Sequence, residues 1–123
     1  MNRAQLLFQH LKNQAQGLFW KYASIAEVLA SRTALSAYKA SFVEFLEFAA
    51  GQHHLKKITQ IRKRHVDSYM VYLRRNGGSE YLVQKRVYAI CFWLKLIDDH
   101  PELPRYESFR FAWEQPAADA VNT

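Results

Sequence analysis

Val83, Val87, Ile90, Leu94 and Ile97 recur at i, i+4, i+7, i+11 and i+14. That period lines up one face of an α-helix and no face of a strand. A helix of this length has to bury its apolar side against other elements, so the repeat demands a bundle around it. Ser79 ahead of the repeat is a natural N-cap, and Glu80 in the first turn suits the positive end of the helix dipole. With only 4 Gly and 3 Pro in 123 residues, little interrupts helical segments elsewhere, and the economical fold class is all-α.

The same reasoning places the other elements. A first helix is expected from about Arg3 to Gln14, with Leu7 and Leu11 inward and an end near Gly17. Leu18, Tyr22, Ile25, Ala26 and Leu29 continue at helical spacing, and Ser24-Ile25-Ala26-Glu27 offers a capping box for a fresh start at Ser24. From Ser31 or Arg32 to Ala50, the residues Leu35, Tyr38, Phe42, Phe45, Leu46 and Ala49 form a broad apolar stripe with Gly51 as stop signal. Leu55, Ile58 and Ile61 anchor the following connection, with Thr59 as a cap for a helix over about Arg62 to Arg75. That helix puts Val66, Tyr69, Met70 and Leu73 inward and turns Lys63, Asp67 and Arg74 away. Asn76-Gly77-Gly78 ends it, and Pro101 and Pro104 close the helical region after Ile97. Three regions result: an N-terminal helical extension over 1–30, a helical domain over 31–100 and an extended tail over 101–123. In the tail, Phe109, Phe111 and Trp113 alternate with Arg110 and Ala112, as in a strand or an extended surface segment.

Half of the residues are apolar, too many for a disordered chain, and the length fits one core. Charged residues break every run short of the roughly 20 apolar residues that span a bilayer. The N-terminus shows no secretory cleavage pattern, and the lone Cys91 sits in the apolar run Ala89 to Trp93. Both point to a reducing, cytoplasmic setting, with Cys91 as core.

Charge is distributed unevenly. Seventeen Lys and Arg face eleven Asp and Glu. From Gln52 to Ile97, ten bases (Lys56, Lys57, Arg62, Lys63, Arg64, Arg74, Arg75, Lys85, Arg86, Lys95) meet only Asp67 and Glu80, leaving +8 against −2 for the flanks. A basic middle on a near-neutral frame fits a polyanion partner, while a charged face kept for solubility is the competing reading. Tyr81, Lys85, Tyr88, Phe92 and Lys95 form a second stripe on the last helix. Packing of Tyr88 and Phe92 under the N-terminal helix, with the lysines reaching out to water, is favoured there over base stacking.

No enzyme-like constellation emerges, and no catalytic residue, metal site or cofactor is assigned. His53 and His54 are adjacent and point apart, without a third ligand at a suitable offset. Asp98-Asp99-His100 lies at a helix end before Pro101. Gly77-Gly78-Ser79 precedes a helix without a Walker pattern, which suits a backbone phosphate better than a nucleotide cofactor.

Several segments nevertheless follow a familiar order. Ala34-Leu35-Ser36-Ala37-Tyr38 with Phe42, Phe45, Leu46 and Phe48 is similar to the first helix of the core-binding domain of tyrosine recombinases and phage integrases. Leu55-Lys56-Lys57-Ile58-Thr59, His65-Val66-Asp67-Ser68-Tyr69, Leu73-Arg74-Arg75-Asn76-Gly77-Gly78-Ser79 and Val87-Tyr88-Ala89-Ile90-Cys91-Phe92-Trp93 then resemble that family's loop, short helix, turn and long helix over residues 32–97. The chain departs from the family at Ala34 and at Leu82 or Val83, where the family usually carries Thr. The resemblance implies a SAM-like bundle of four to five helices that clamps duplex DNA at a recombination site. The family's catalytic Arg, His and Tyr motifs have no counterpart here, so the chain is expected to bind without cleaving, alone or alongside a separate catalytic domain or other integrase protomers.

On this reading Lys39, Lys63, Arg64, Lys85 and Arg86 contact phosphates, with Ser79 at the helix start, and Gln84 and Lys85 reach base edges. The rival from another class is a helical protein-interaction module that docks through Phe109, Phe111 and Trp113.

Overall fold

The computed structural model describes residues 1–112. The described residues form five α-helices and no strand: α1 (Arg3–Lys21), α2 (Ala23–Leu29), α3 (Arg32–His53), α4 (Lys63–Arg75) and α5 (Glu80–Lys95). Short 3-10 turns occupy Ile58–Gln60 and Tyr106–Ser108.

The long, doubly apolar α3 is the central element, with α1 against it and α4 and α5 packed on it as well. Its stripe of Leu35, Phe42, Phe45, Leu46 and Ala49 is buried, as are Val83, Val87, Ile90, Leu94 and Ile97 from the repeat on and just beyond α5. Trp93 is fully buried between Phe19 of α1, with ring centroids 4.6 Å apart, and its neighbour Phe92 at 5.1 Å. Cys91 is likewise buried, and burial pushes its thiol up to about 12, so it stays an unreactive core residue.

Several boundaries differ from expectation. α1 passes through Gly17 and continues to Lys21, because the half-buried Leu18 and the buried Phe19 keep packing beyond the glycine, which itself faces solvent. Burial of the stripe outweighs the roughly 1 kcal/mol helix penalty of one glycine. α2 starts at Ala23, one residue ahead of the proposed Ser24 box, and no side chain caps it. Gly51 lies within α3, which stops instead at His54 in a left-handed conformation (φ 53°). Thr59 is inside a 3-10 turn, and the start of α4 is capped by His65, whose Nδ1 accepts the Arg62 N–H at 2.9 Å.

The turn between α4 and α5 behaves as the sequence indicates. Gly78 N–H donates to the Leu73 carbonyl and Gly77 N–H to that of Arg74, the paired bonds of a Schellman motif, with Gly77 at φ 85°. A Cβ on Gly78 would sit 2.8 Å from the Leu73 carbonyl oxygen. Ser79 then caps α5 by accepting the Leu82 N–H at 3.1 Å.

The segment after Pro101 returns to the bundle. Leu103, Phe109 and Phe111 are buried in the same core; the backbone turns through Tyr106–Ser108 and is extended again at Phe109, where Phe109 and Phe111 alternate with the exposed Arg110 as expected. Glu102 faces Arg62 at 3.7 Å, and the Ala112 N–H donates to Glu80 at 2.8 Å. The segment therefore runs as a strap between the start of α4 and the start of α5. Trp113 and the residues after it lie outside the described part.

Candidate nucleic-acid interface

Gln84, Lys85 and Arg86, together with Glu44, Ser41 and four tyrosines, line a groove of about 530 Å³ between α3 and α5. The groove exists because α3 presents Ala37, Ala40 and Ser41 to it, side chains too short to reach across to α5. Gln84 donates to the Tyr106 hydroxyl at 2.9 Å, which ties the strap to α5. Arg86 is ion-paired with Glu44 across the two helices. Lys85 is exposed, its ammonium 5.2 Å from the Tyr81 ring centre.

The remaining sequence-selected residues lie elsewhere. Lys39 reaches back over Phe19 of α1, 5.8 Å from the ring centre. Lys63 is bound to Asp67 one turn along α4 at 3.0 Å and lies over Phe109 at 5.2 Å. Arg64 is exposed and has no ion-pair partner among the described residues. Thirteen residues of α4, roughly 20 Å of helix, separate this end from the turn that leads into α5. Ser79 uses its hydroxyl on its own helix. The structure thus gathers three of the seven residues at one groove and leaves Lys39, Lys63, Arg64 and Ser79 outside its lining.

The acids of the flanks fold back onto the basic middle, which sequence order conceals. Glu44 takes Arg86 and Glu102 faces Arg62, whose guanidinium also donates to the carbonyls of Thr59 and Ile61. Within the middle itself, Glu80 pairs with Arg74 through both carboxylate oxygens. Hydrogen bonding from Arg74, aided by the Ala112 N–H, holds the Glu80 carboxyl below the usual carboxylate range. Removing the paired bases leaves Lys56, Lys57, Arg64, Arg75, Lys85 and Lys95, all exposed and without a carboxylate partner among the described residues. Three of these, Lys56, Lys57 and Arg64, flank one connection. Sequence reasoning counted Lys56 and Lys57 as charge without singling them out, since nothing local marks them as unpaired.

That connection is held rigidly. The Gln14 side chain donates to the Lys56 carbonyl at 2.7 Å and accepts the Ile58 N–H at 2.9 Å, while Gln60 accepts the N–H groups of Lys56 and Lys57. Leu55, Ile58 and Ile61 are buried beneath it, as their spacing indicates.

His65 lies in the core at 2% exposure, its ring 4.9 Å from that of His53. Burial, then the charges of Arg64, His53 and Arg62, push its pKa down to about 4, so the ring is neutral near pH 7 and free to accept at Nδ1. Among the described residues no group of three His, Cys, Asp or Glu is placed to hold a metal ion, and no helix is long and apolar enough to cross a membrane.

Comparison with known proteins returns no match: no family model, no curated protein and no solved structure is matched by the chain.

The stripe of Tyr81, Lys85, Tyr88 and Phe92 is only partly consumed by packing. Tyr88 and Phe92 pack on Tyr38 of α3, at 5.7 and 5.0 Å, and not under α1 as expected. Tyr81 remains 64% exposed and Tyr88 44%.

Proposed function

We propose that the chain is a DNA-gripping helical domain of the tyrosine-recombinase type, built on a SAM-like bundle and acting without a catalytic centre of its own, in the cytoplasm. The observation that carries the reading is the set of six exposed cations that residues 52–97 keep after internal pairing, three of them around a connection stiffened by Gln14 and Gln60. Cations held on a stiff backbone neutralise phosphates with little ordering cost, and each contact releases condensed counterions. The resemblance over residues 32–97 supports the same partner. Arg86 and Lys63 serve this reading as supports for the fold: Arg86 joins α5 to α3, and Lys63 joins the first two turns of α4.

The test is a titration against labelled duplex DNA across a range of salt. Six phosphate contacts would give a log K against log salt slope of about −5. Lys56→Gln combined with Arg64→Gln should reduce the magnitude of that slope by about 2 without changing the circular dichroism. Absence of duplex binding at low salt removes the reading.

A second reading, a helical protein-interaction module, no longer rests on Phe109 and Phe111, which the chain's own core occupies. It draws support instead from Trp20, Val28 and Leu29, exposed at 86%, 84% and 58% around the junction of α1 and α2. Trp20→Ser would leave DNA affinity unchanged and abolish any partner binding through that surface.

A further inference from the structure

The groove between α3 and α5 presents exposed tyrosine rings beside a cation that the folded chain leaves without a counter-charge. Tyr88 is fixed from two sides, in a T-shaped contact with Tyr106 at 5.3 Å and 80° and tilted against Tyr38 at 5.7 Å. Tyr106 is itself held by Gln84. Tyr81 stands seven residues before Tyr88 on the same face of α5, roughly 10 Å along the axis. Lys85 lies between them. Its neighbour Arg86 is neutralised by Glu44, whereas Lys85 has only the Tyr81 ring beside it. The order along the helix is therefore ring, cation, ring. A single nucleic-acid strand has the matching order of base, phosphate, base. Bases paired inside a duplex do not offer their faces, so the complement of this groove is unpaired DNA.

We propose that the α3–α5 groove is a stacking site for two successive unpaired nucleotides of DNA, with Tyr81 and Tyr88 each taking a base and Lys85 the phosphate that joins them. The inference rests on the DNA reading and adds a ligand state to it, a locally opened strand beside the gripped duplex. Aromatic stacking tolerates any base, so the site reads the absence of pairing and not the sequence. Tyr81 and Tyr88 both stay exposed despite these contacts, and pinning of Tyr88 and Tyr106 means little freedom is lost when a base arrives.

The experiment uses the full chain and three labelled probes: a ten-nucleotide deoxythymidine strand, an abasic strand of the same length, and a blunt duplex. The base-bearing strand should bind at least about tenfold more tightly than the abasic one. Tyr81→Ala should weaken the base-bearing strand about five- to a hundredfold and leave the abasic strand and the duplex unchanged. Tyr81→Phe, which keeps the ring, should stay within about twofold of the parent. Tyr81 is mostly exposed, so its removal does not threaten the fold. Equal binding of the two strands, or indifference to Tyr81→Ala, overturns the proposal even if the duplex still binds. Loss of duplex binding with retained base-dependent strand binding overturns the duplex grip and keeps the stacking site, and failure of all three probes overturns both.

Discussion

His65 shows how one side chain can cap a helix and sensitise the whole fold to pH. Its Nδ1 accepts a backbone N–H only while the ring is neutral, and its surroundings of Arg62, Arg64 and His53 all oppose a proton. The unfolded chain takes up that proton near pH 6.5, the folded chain only near 4. Stability is therefore complete above about pH 6.5 and is lost as the pH falls toward 4, by roughly 2 to 3 kcal/mol at the lower end. His53, also lowered by burial, adds in the same direction. Urea titrations between pH 7 and 4.5 should show this decline, and His65→Gln should flatten most of it; a parent curve that is level across the interval refutes the assignment. Arg86 illustrates the limit of reading charge from sequence. Its partner Glu44 lies 42 residues away, and nothing in either local pattern joins them, so a cation expected to meet phosphate turns out to hold two helices together. Arg86→Glu would place two carboxylates side by side, which makes Lys56 and Arg64 better probes of DNA contact.

At the scale of elements, the legible parts were those where one strong local signal stood alone. α5 follows from its five-membered repeat and its Ser79 cap, and the Asn76-Gly77-Gly78 turn from two glycines with a backbone need for them. The poorly legible parts were helix ends where a glycine met a continuing apolar stripe. Gly17 and Gly51 are both helical and exposed: beyond the first, Leu18 and Phe19 still pack on the core, and beyond the second, His53 still packs on Phe48. This yields paired expectations. Gly17→Ala meets open space and should stabilise by about 0.5–1 kcal/mol. Gly78→Ala would push against the Leu73 carbonyl and should destabilise by at least about 1 kcal/mol. Chemical denaturation midpoints moving in opposite directions would verify both, and a gain from Gly78→Ala would contradict the turn geometry.

Across the whole molecule, the fold class was readable and the path of the last described segment was not. Alternating Phe109, Arg110 and Phe111 reads as a strand, yet two buried rings spaced by one exposed residue also suit a strap lying over a helical core. Periodicity of two over so short a span does not separate these cases. The difference is measurable. Phe111→Ala should cost about 3–5 kcal/mol if the ring completes the core and almost nothing if the segment were loose. A thermal melt of this variant decides between them. Charge has the same whole-molecule character: the +8 of residues 52–97 is a statement about composition, and the six of its ten bases left without a carboxylate partner are a statement about the fold. The candidate interface was legible only in outline, since Lys85 was singled out while Tyr88 beside it was assigned to packing and Tyr81 was given no role.

The strap also sets how the protein meets mechanical load. Within the described residues, tension pulling on Ala112 loads its bond to Glu80 first, then Phe111 and Phe109, and reaches the Glu102–Arg62 contact only afterwards. These attachments lie in series, so they peel one after another while α1, α3 and α5 stay interlocked behind them. A molecule tugged by its neighbour in an assembly would yield at this seam first and keep its helical body whole.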